Sequence, residues 1–269
     1  MQTFVDEDFD NMSLAEGALA LNEAIDPTTE VHWAKQELER LAQHAEQFVS
    51  VEADEYQRLD ALLRLFYRQW QFQEDIENYY SSQNGFVDKV LKRRKGVPVS
   101  LGVIFIYLAQ RLNLPVSGVV FPTQFILRVD WPDRPVRFIN PANGDDVSTH
   151  VLHAWLKGKE GQLAELKNEY LQKSDHPTVI GRWLGMCKNM LLQEEKYDLA
   201  LACTNLALIL VPDDPYEIRD RGFIYQQLEC PQIAANDFQF FVEQCPNDPV
   251  TDLLKTQISD LNHTPVTLH

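Results

Sequence analysis

The strongest constraint on this chain is a repeat near its end. Pro212-Asp213-Asp214-Pro215 returns as Pro246-Asn247-Asp248-Pro249, an offset of 34 residues (246 − 212). A period of that length suits two antiparallel helices and their turns, a unit that buries its apolar face only by stacking on a neighbour. Gly222 and Ala234 are small enough for two helices to approach closely, and Tyr225 and Phe238 suit the groove beside them. Pro246 ends the second helix because it has no N–H to donate. The preceding unit keeps Ala200, Ala207 and Pro212, but it has Lys188 in place of the glycine and Thr204 in place of the aromatic residue. Pro249 to Leu261 is expected as a capping helix, and so short an array should pack on the rest of the chain.

These spacings match the tetratricopeptide repeat, which usually presents a protein-binding surface. Two ordinary amphipathic hairpins sharing a loop motif are the alternative. Arg219 and Arg221, at the start of the second unit, are candidates to meet an acidic group of a partner, or to pair with nearby Asp and Glu.

Composition narrows the function classes. A net charge of −16 disfavours nucleic acid or an anionic membrane as the main partner. The basic run Lys92-Arg93-Arg94-Lys95 is a local exception, and it reads as a charged helix end. The first residues, MQTFVDEDFDNMS, carry no secretory signal, and the apolar run near Val99 to Leu108 is too short to span a bilayer. Cys187, Cys203, Cys230 and Cys245 form no CxxC pair, so neither zinc nor another cofactor is expected. The expectation is a cytoplasmic protein with reduced thiols. The sequence leaves the oligomeric state open.

The first part reads as helical. Ser13 with Glu16 forms a capping box ahead of a helix to Ile25, and Asp26-Pro27 breaks it. Glu30 to Phe48 follows, with Trp33, Leu38, Leu41 and Phe48 at helical spacing, then Glu55 to Trp70 with Leu59, Leu62, Leu63, Phe66 and Trp70. Phe86 to Leu91 is expected as a short helix leading to Pro98. Val99 to Leu112 is apolar nearly all round, the pattern of a buried central helix. Three β-like runs come next: 116–121, 124–129 and 136–139, closed by the turn Asn140-Pro141-Ala142-Asn143-Gly144. The fold class is α+β, with a domain at 1–175 and a repeat domain at 176–269.

Three strings together carry a family resemblance: RRKGVPVSLGVIFIYLAQRLNLPVSGVVFPTQFILRV, FINPANGDDVS, and the tail with YEIRDRGFIYQQL and DFQFFVEQCPNDP. They resemble the bacterial Sir-B type transglutaminase-like/tetratricopeptide family over most of the chain. The resemblance implies a cytoplasmic protein of poorly defined activity, linked to regulation of virulence-gene expression in enteric bacteria. It also implies a fold that normally carries Cys, His and Asp, in which the thiolate sits at a buried helix N-terminus and the Asp orients the imidazole. Here the matching region has Ser100, Gln124 where related proteins have His, and Asn140 where Asp is expected. Counting back without a gap from Leu114-Pro115 puts the cysteine position opposite Pro98 instead.

The chemistry argues against turnover. A serine hydroxyl needs a base, and Gln124 has no titratable nitrogen. Without the triad only binding and oxyanion contributions remain. The expectation is a non-catalytic scaffold, a pseudoenzyme with a regulatory role. Its cleft binds an extended peptide through Ser100, Gln124 and Asn140, and its repeats offer a second surface to a protein partner. The same trio reads equally as a satisfied hydrogen-bond cluster without a ligand. The alternative function is a residual hydrolase or acyltransferase using Ser100, with His150 or His153 as base.

Overall fold

Residues 12–49 and 54–263 are described by a computed structural model of the chain. The expected capping box opens it: Ser13 Oγ accepts the Glu16 N–H at 3.3 Å, and the Glu16 carboxylate accepts the Ser13 N–H at 3.2 Å. Helix α1 (Leu14–Ile25) follows, then α2 (Val31–Phe48). The buried stripe of α2 is Ala34, Leu38, Leu41, Ala42 and Ala45. Phe48, expected in that stripe, is 41% exposed, and Trp33 lies under the Lys92 ammonium, 5.0 Å from its ring. Alanines carry the packing there because small side chains bring α2 close to its neighbours.

Asp54 caps α3 (Glu55–Leu63) by accepting the Gln57 N–H at 2.8 Å. The single helix expected to reach Trp70 changes form after Leu63. Arg64–Gln69 is a π-helical turn, closed by the Trp70 N–H donating to the Leu65 carbonyl at 2.9 Å. The widened turn holds two aromatic residues against the core. Phe66 stacks on Phe72 at 4.2 Å and meets the Phe105 ring edge-on at 5.3 Å, while the Tyr67 hydroxyl donates to the Pro141 carbonyl at 3.0 Å.

Strand β1 (Gln73–Glu74) pairs in parallel with β2 (Lys95–Gly96), with α4 (Val87–Arg93) between them in sequence. Helix α5 (Pro98–Arg111) has Pro98 in its first turn and nearly all its side chains buried, as its uniform apolarity requires. β3 (Val116–Val120), β4 (Phe125–Val129) and β5 (Arg137–Ile139) form an antiparallel sheet in sequence order. α5 packs on β3 and β4. Ser148 caps α6 (Thr149–Glu160), whose Leu152 and Leu156 join Val119, Phe121, Ile126 and Phe138 in one apolar cluster. Helices and an antiparallel sheet segregated in this way give the expected α+β class.

One interlock fixes the sheet on α5. A side chain at Gly102 would come within 2.5 Å of the Phe125 ring, and one at Gly118 would overlap the other edge of that ring. Phe125, 1% exposed, is thus gripped between a helix glycine and a strand glycine.

The described residues fall into two compact units that divide between Trp183 and Leu184. That division lies inside α7 (His176–Gln193), whereas the boundary expected between 175 and 176 lies at its start. The second unit continues with α8 (Tyr197–Leu210), α9 (Pro215–Gln227), α10 (Pro231–Gln244) and α11 (Thr251–His263). α9 packs on α10 as a hairpin, with Gly222 facing Phe238: a side chain at Gly222 would come 2.7 Å from that ring. Lys188, in the glycine position of the earlier unit, is 4% exposed and donates to Glu217 at 2.8 Å and Asp220 at 2.7 Å. Burial opposes its charge, but Asp220 and Glu217 outweigh burial and hold its pKa above the ordinary value.

Two tests follow from this packing. Gly102→Ala drives a methyl into Phe125 and should lower stability by about 1–3 kcal/mol in urea unfolding, with much of the loss recovered in Gly102→Ala/Phe125→Leu. All four thiols are free. Burial pushes the Cys187 thiol far up and Cys203 to about 12, so a thiol reagent at neutral pH should modify the less buried Cys230 and Cys245 first. Complete labelling should require denaturant.

Candidate peptide-binding cleft at the start of the central helix

Ser100 lies in the first turn of α5 and has no exposed surface. Its hydroxyl donates to the Asn84 carbonyl at 2.6 Å and accepts the Val97 N–H at 3.1 Å, an otherwise unpaired donor at the helix start. Gly96 makes room for that oxygen, since a side chain there would come within 2.7 Å of it. Asn84 is equally buried: its amide donates to the Asn78 carbonyl at 2.7 Å and its side-chain oxygen accepts from Arg93 at 2.8 Å. Arg93 also grips Asp75. Burial pushes the Asp75 carboxyl up, but Arg93 and Lys95 outweigh it and hold the group below its ordinary pKa. Trp183 closes the network by donating to the Gly85 carbonyl at 2.9 Å.

Asn140 ends β5. Its side-chain oxygen accepts the Ala142 N–H at 3.0 Å, and its carbonyl accepts the Gly144 N–H at 2.8 Å. These bonds shape the turn by the side-chain mimicry that asparagine favours. Gln124 stands just before β4 rather than in it, half-buried, and its amide nitrogen is buried without a hydrogen-bond partner. The neighbouring Thr123 hydroxyl is buried and unpartnered as well.

β1 connects these parts. The Asp75 N–H donates to the Gly96 carbonyl at 3.0 Å, and the Glu74 N–H donates to the Ala142 carbonyl at 3.2 Å. The approach to Ser100 and the Asn140 turn therefore flank the same short strand, while Gln124 adjoins Phe125 of β4, which packs against α5. No hydrogen bond joins any two of Ser100, Gln124 and Asn140. Ser100 takes a structural place, because a hydroxyl sealed from solvent and twice bonded has nothing left for a ligand.

Sequence reading missed two groups here. Thr123 had no signal beyond its place beside Gln124. Glu74, in the acidic stretch QFQEDIEN, reads as a solvated charge, yet it is half-buried with no counter-ion among the described residues, and burial pushes its carboxyl up. Tyr79 is pushed up by burial and then by the charge of Glu74.

The remaining expected groups lie on α6 and in the second unit. His153 Nε2 lies 2.9 Å from the Ala164 carbonyl, and His150 is exposed on α6. Arg221 makes a two-pronged pair with Asp237, both bonds at 2.8 Å. Arg219 pairs with Asp220 at 2.7 Å and lies 5.3 Å from the rings of Tyr216 and Phe241. The expectation that these two arginines stand ready for an acidic partner meets side chains already held by Asp237 and Asp220. Among the described residues there is no group of three His, Cys, Asp or Glu placed to hold a metal ion, and no helix long and apolar enough to cross a membrane.

This frame defines a transglutaminase-like domain followed by helical-hairpin repeats. Residues 32–185 match the transglutaminase-like superfamily, and residues 187–259 match the tetratricopeptide repeat. The chain is 57% identical over 271 residues to a UPF0162 protein of Vibrio cholerae. It is 41% identical over 272 residues to the UPF0162 protein YchA of Escherichia coli K12, and 40% over 269 residues to the protein SirB1 of Salmonella typhimurium. Each alignment covers the whole of both chains. No solved structure matches. The protein belongs to the SirB1/UPF0162 family of transglutaminase-like proteins with tetratricopeptide repeats.

The geometry makes Ser100 a stability residue. Ser100→Ala strands the Asn84 carbonyl and the Val97 N–H, and chemical denaturation should show a loss of about 1–3 kcal/mol.

Proposed function

We propose that this protein is a catalytically inactive transglutaminase-like scaffold that binds a peptide segment in its degenerate cleft and a protein partner through its repeats. The observation that carries the reading is the state of Ser100. The hydroxyl that the resemblance sets against the nucleophile is sealed in the core and used as a helix-start bond, and Gln124 has no nitrogen able to take its proton. Proton transfer has no agent there.

Binding has several. Gln124 and Thr123 hold buried polar atoms with no partner, and an unpaired buried donor costs roughly 1–3 kcal/mol. A peptide carbonyl that reached the Gln124 amide on local opening of the half-buried Thr123–Gln124 segment would remove that cost, and the Asn140 turn supplies a polar wall. Ser100 is a positioning residue in this reading, since it holds the Asn84 loop against the helix that Phe125 packs on. Binding without turnover is the behaviour of a regulatory protein, and four free thiols fit a reducing compartment such as the cytoplasm. The serine-hydrolase reading has no comparable support: His153 is bonded elsewhere and His150 lies on an exposed helix face.

The test is affinity capture from a bacterial lysate with the intact chain and with Gln124→Ala/Asn140→Ala, identified by mass spectrometry. A stoichiometric partner present with the native chain and lost with the variant is the expected result. A turnover activity that disappears in a folded Ser100→Ala chain would sink the reading.

A further inference from the structure

The π-helical turn and the turn after Asn140 flank an open pocket of about 220 Å3, with Arg64 and Arg68 on one wall and Asn143, Gly144 and Asp145 on the other. We propose that this pocket binds a carboxylate group of a peptide ligand, gripped by Arg64 and Arg68.

The argument begins with charge. The chain has 40 acidic residues to 24 basic ones, so a cation readily finds a carboxylate. Apart from Arg64, Arg68 and Arg182, every described arginine holds a carboxylate or a carbonyl. Arg64 and Arg68 have no such partner, and they line one pocket. Two guanidiniums four residues apart present a pair of rigid donor forks, the geometry that matches a carboxylate.

The walls are held in place. The Tyr67 hydroxyl bonds the Pro141 carbonyl at 3.0 Å, and its ring presses on Gly144, whose φ of +81° and close contact both exclude a side chain. The pocket is smaller than a drug-sized site, so it accommodates one functional group and its stem rather than a whole ligand. The nearby acids set the valence. Asp60 is engaged by Arg137 at 2.8 Å, whereas Asp145, which accepts from the Asn143 amide at 2.6 Å, stands at the wall. Repulsion from Asp145 is greater for a phosphate dianion than for a carboxylate. The carboxylate comes from an acidic side chain or from a chain terminus. The site shares the Asn140 turn with the proposed cleft but uses none of Ser100, Gln124 or Thr123, and the two readings fail separately because only this one depends on Arg64 and Arg68.

The experiment is an NMR titration of the full-length 15N-labelled chain, observing the Arg64 and Arg68 Nε–H signals. Probes are N-acetylglutamate α-amide (a side-chain carboxylate), N-acetylalanine (a terminal carboxylate), N-acetylglutamine α-amide and inorganic phosphate. Saturable shifts with one of the two carboxylates and none with the glutamine amide are expected, and the one that acts identifies the source. Arg64→Gln or Arg68→Gln should each weaken binding about tenfold, equivalent to about 1.4 kcal/mol. An equal response to the glutamine amide, no saturable response, or tighter binding of phosphate overturns the proposal. So does undiminished binding by the double variant. The native-chain comparison of probes decides the matter even if a variant fails to fold.

Discussion

A single hydroxyl organises the first unit. Ser100 Oγ joins the start of the central helix to the buried Asn84, and through Asn84 to Arg93 and Asp75. Ser100, Asn84 and Asp75 are polar and buried and Arg93 is half-buried, so each carries a desolvation cost that its neighbours offset. The network therefore behaves as one object. It orders the loop between β1 and α4, sets the parallel pairing of β1 with β2, and leaves α5 free to bury its apolar sides. A nucleophile at this point would need an exposed oxygen with a base beside it.

The other two side chains have different surroundings. Asn140 spends its side-chain oxygen on the turn that follows it. Gln124 contributes a neutral amide, so no charge is buried beside Phe125. What holds the shape is the grip of Gly102 and Gly118 on Phe125 and the Ser100 network.

How much of this was legible in the sequence depended on the range of the forces involved. The capping box at Ser13, the buried helix after Pro98 and the three strand runs are local or periodic signals, and the structure has them. The repeat period marked out the helices of the second unit because Gly222 and Phe238 answer to each other at a fixed spacing. The π-helical turn at Arg64–Gln69 left no mark, because it arises from Phe66 and Tyr67 packing on Phe72, Phe105 and Pro141, all remote from the helix's own pattern. β1 and β2 are two residues each, too short for any alternation to show. Ser100 was found as a site by resemblance, but its burial depends on Asn84, sixteen residues away. The orphaned amide of Gln124 and the half-buried Glu74 are properties of surroundings that no local pattern encodes.

Electrostatics then separates the two units by what they can offer a partner. In the second unit every cation is engaged: Lys188 by Glu217 and Asp220, Lys196 by Glu194, Arg219 by Asp220, Arg221 by Asp237 and Lys255 by Asp252. Breaking the Arg221 pair to engage a partner's carboxylate would exchange one carboxylate for another while leaving Asp237 uncompensated. What this unit exposes instead is apolar, at Ile209, Val211, Tyr216, Ile233 and Leu253, among an excess of carboxylates. In the first unit Arg64 and Arg68 instead line one pocket beside the Asn140 turn with no carboxylate partner, so the unpaired cations and the exposed apolar side chains lie in different units.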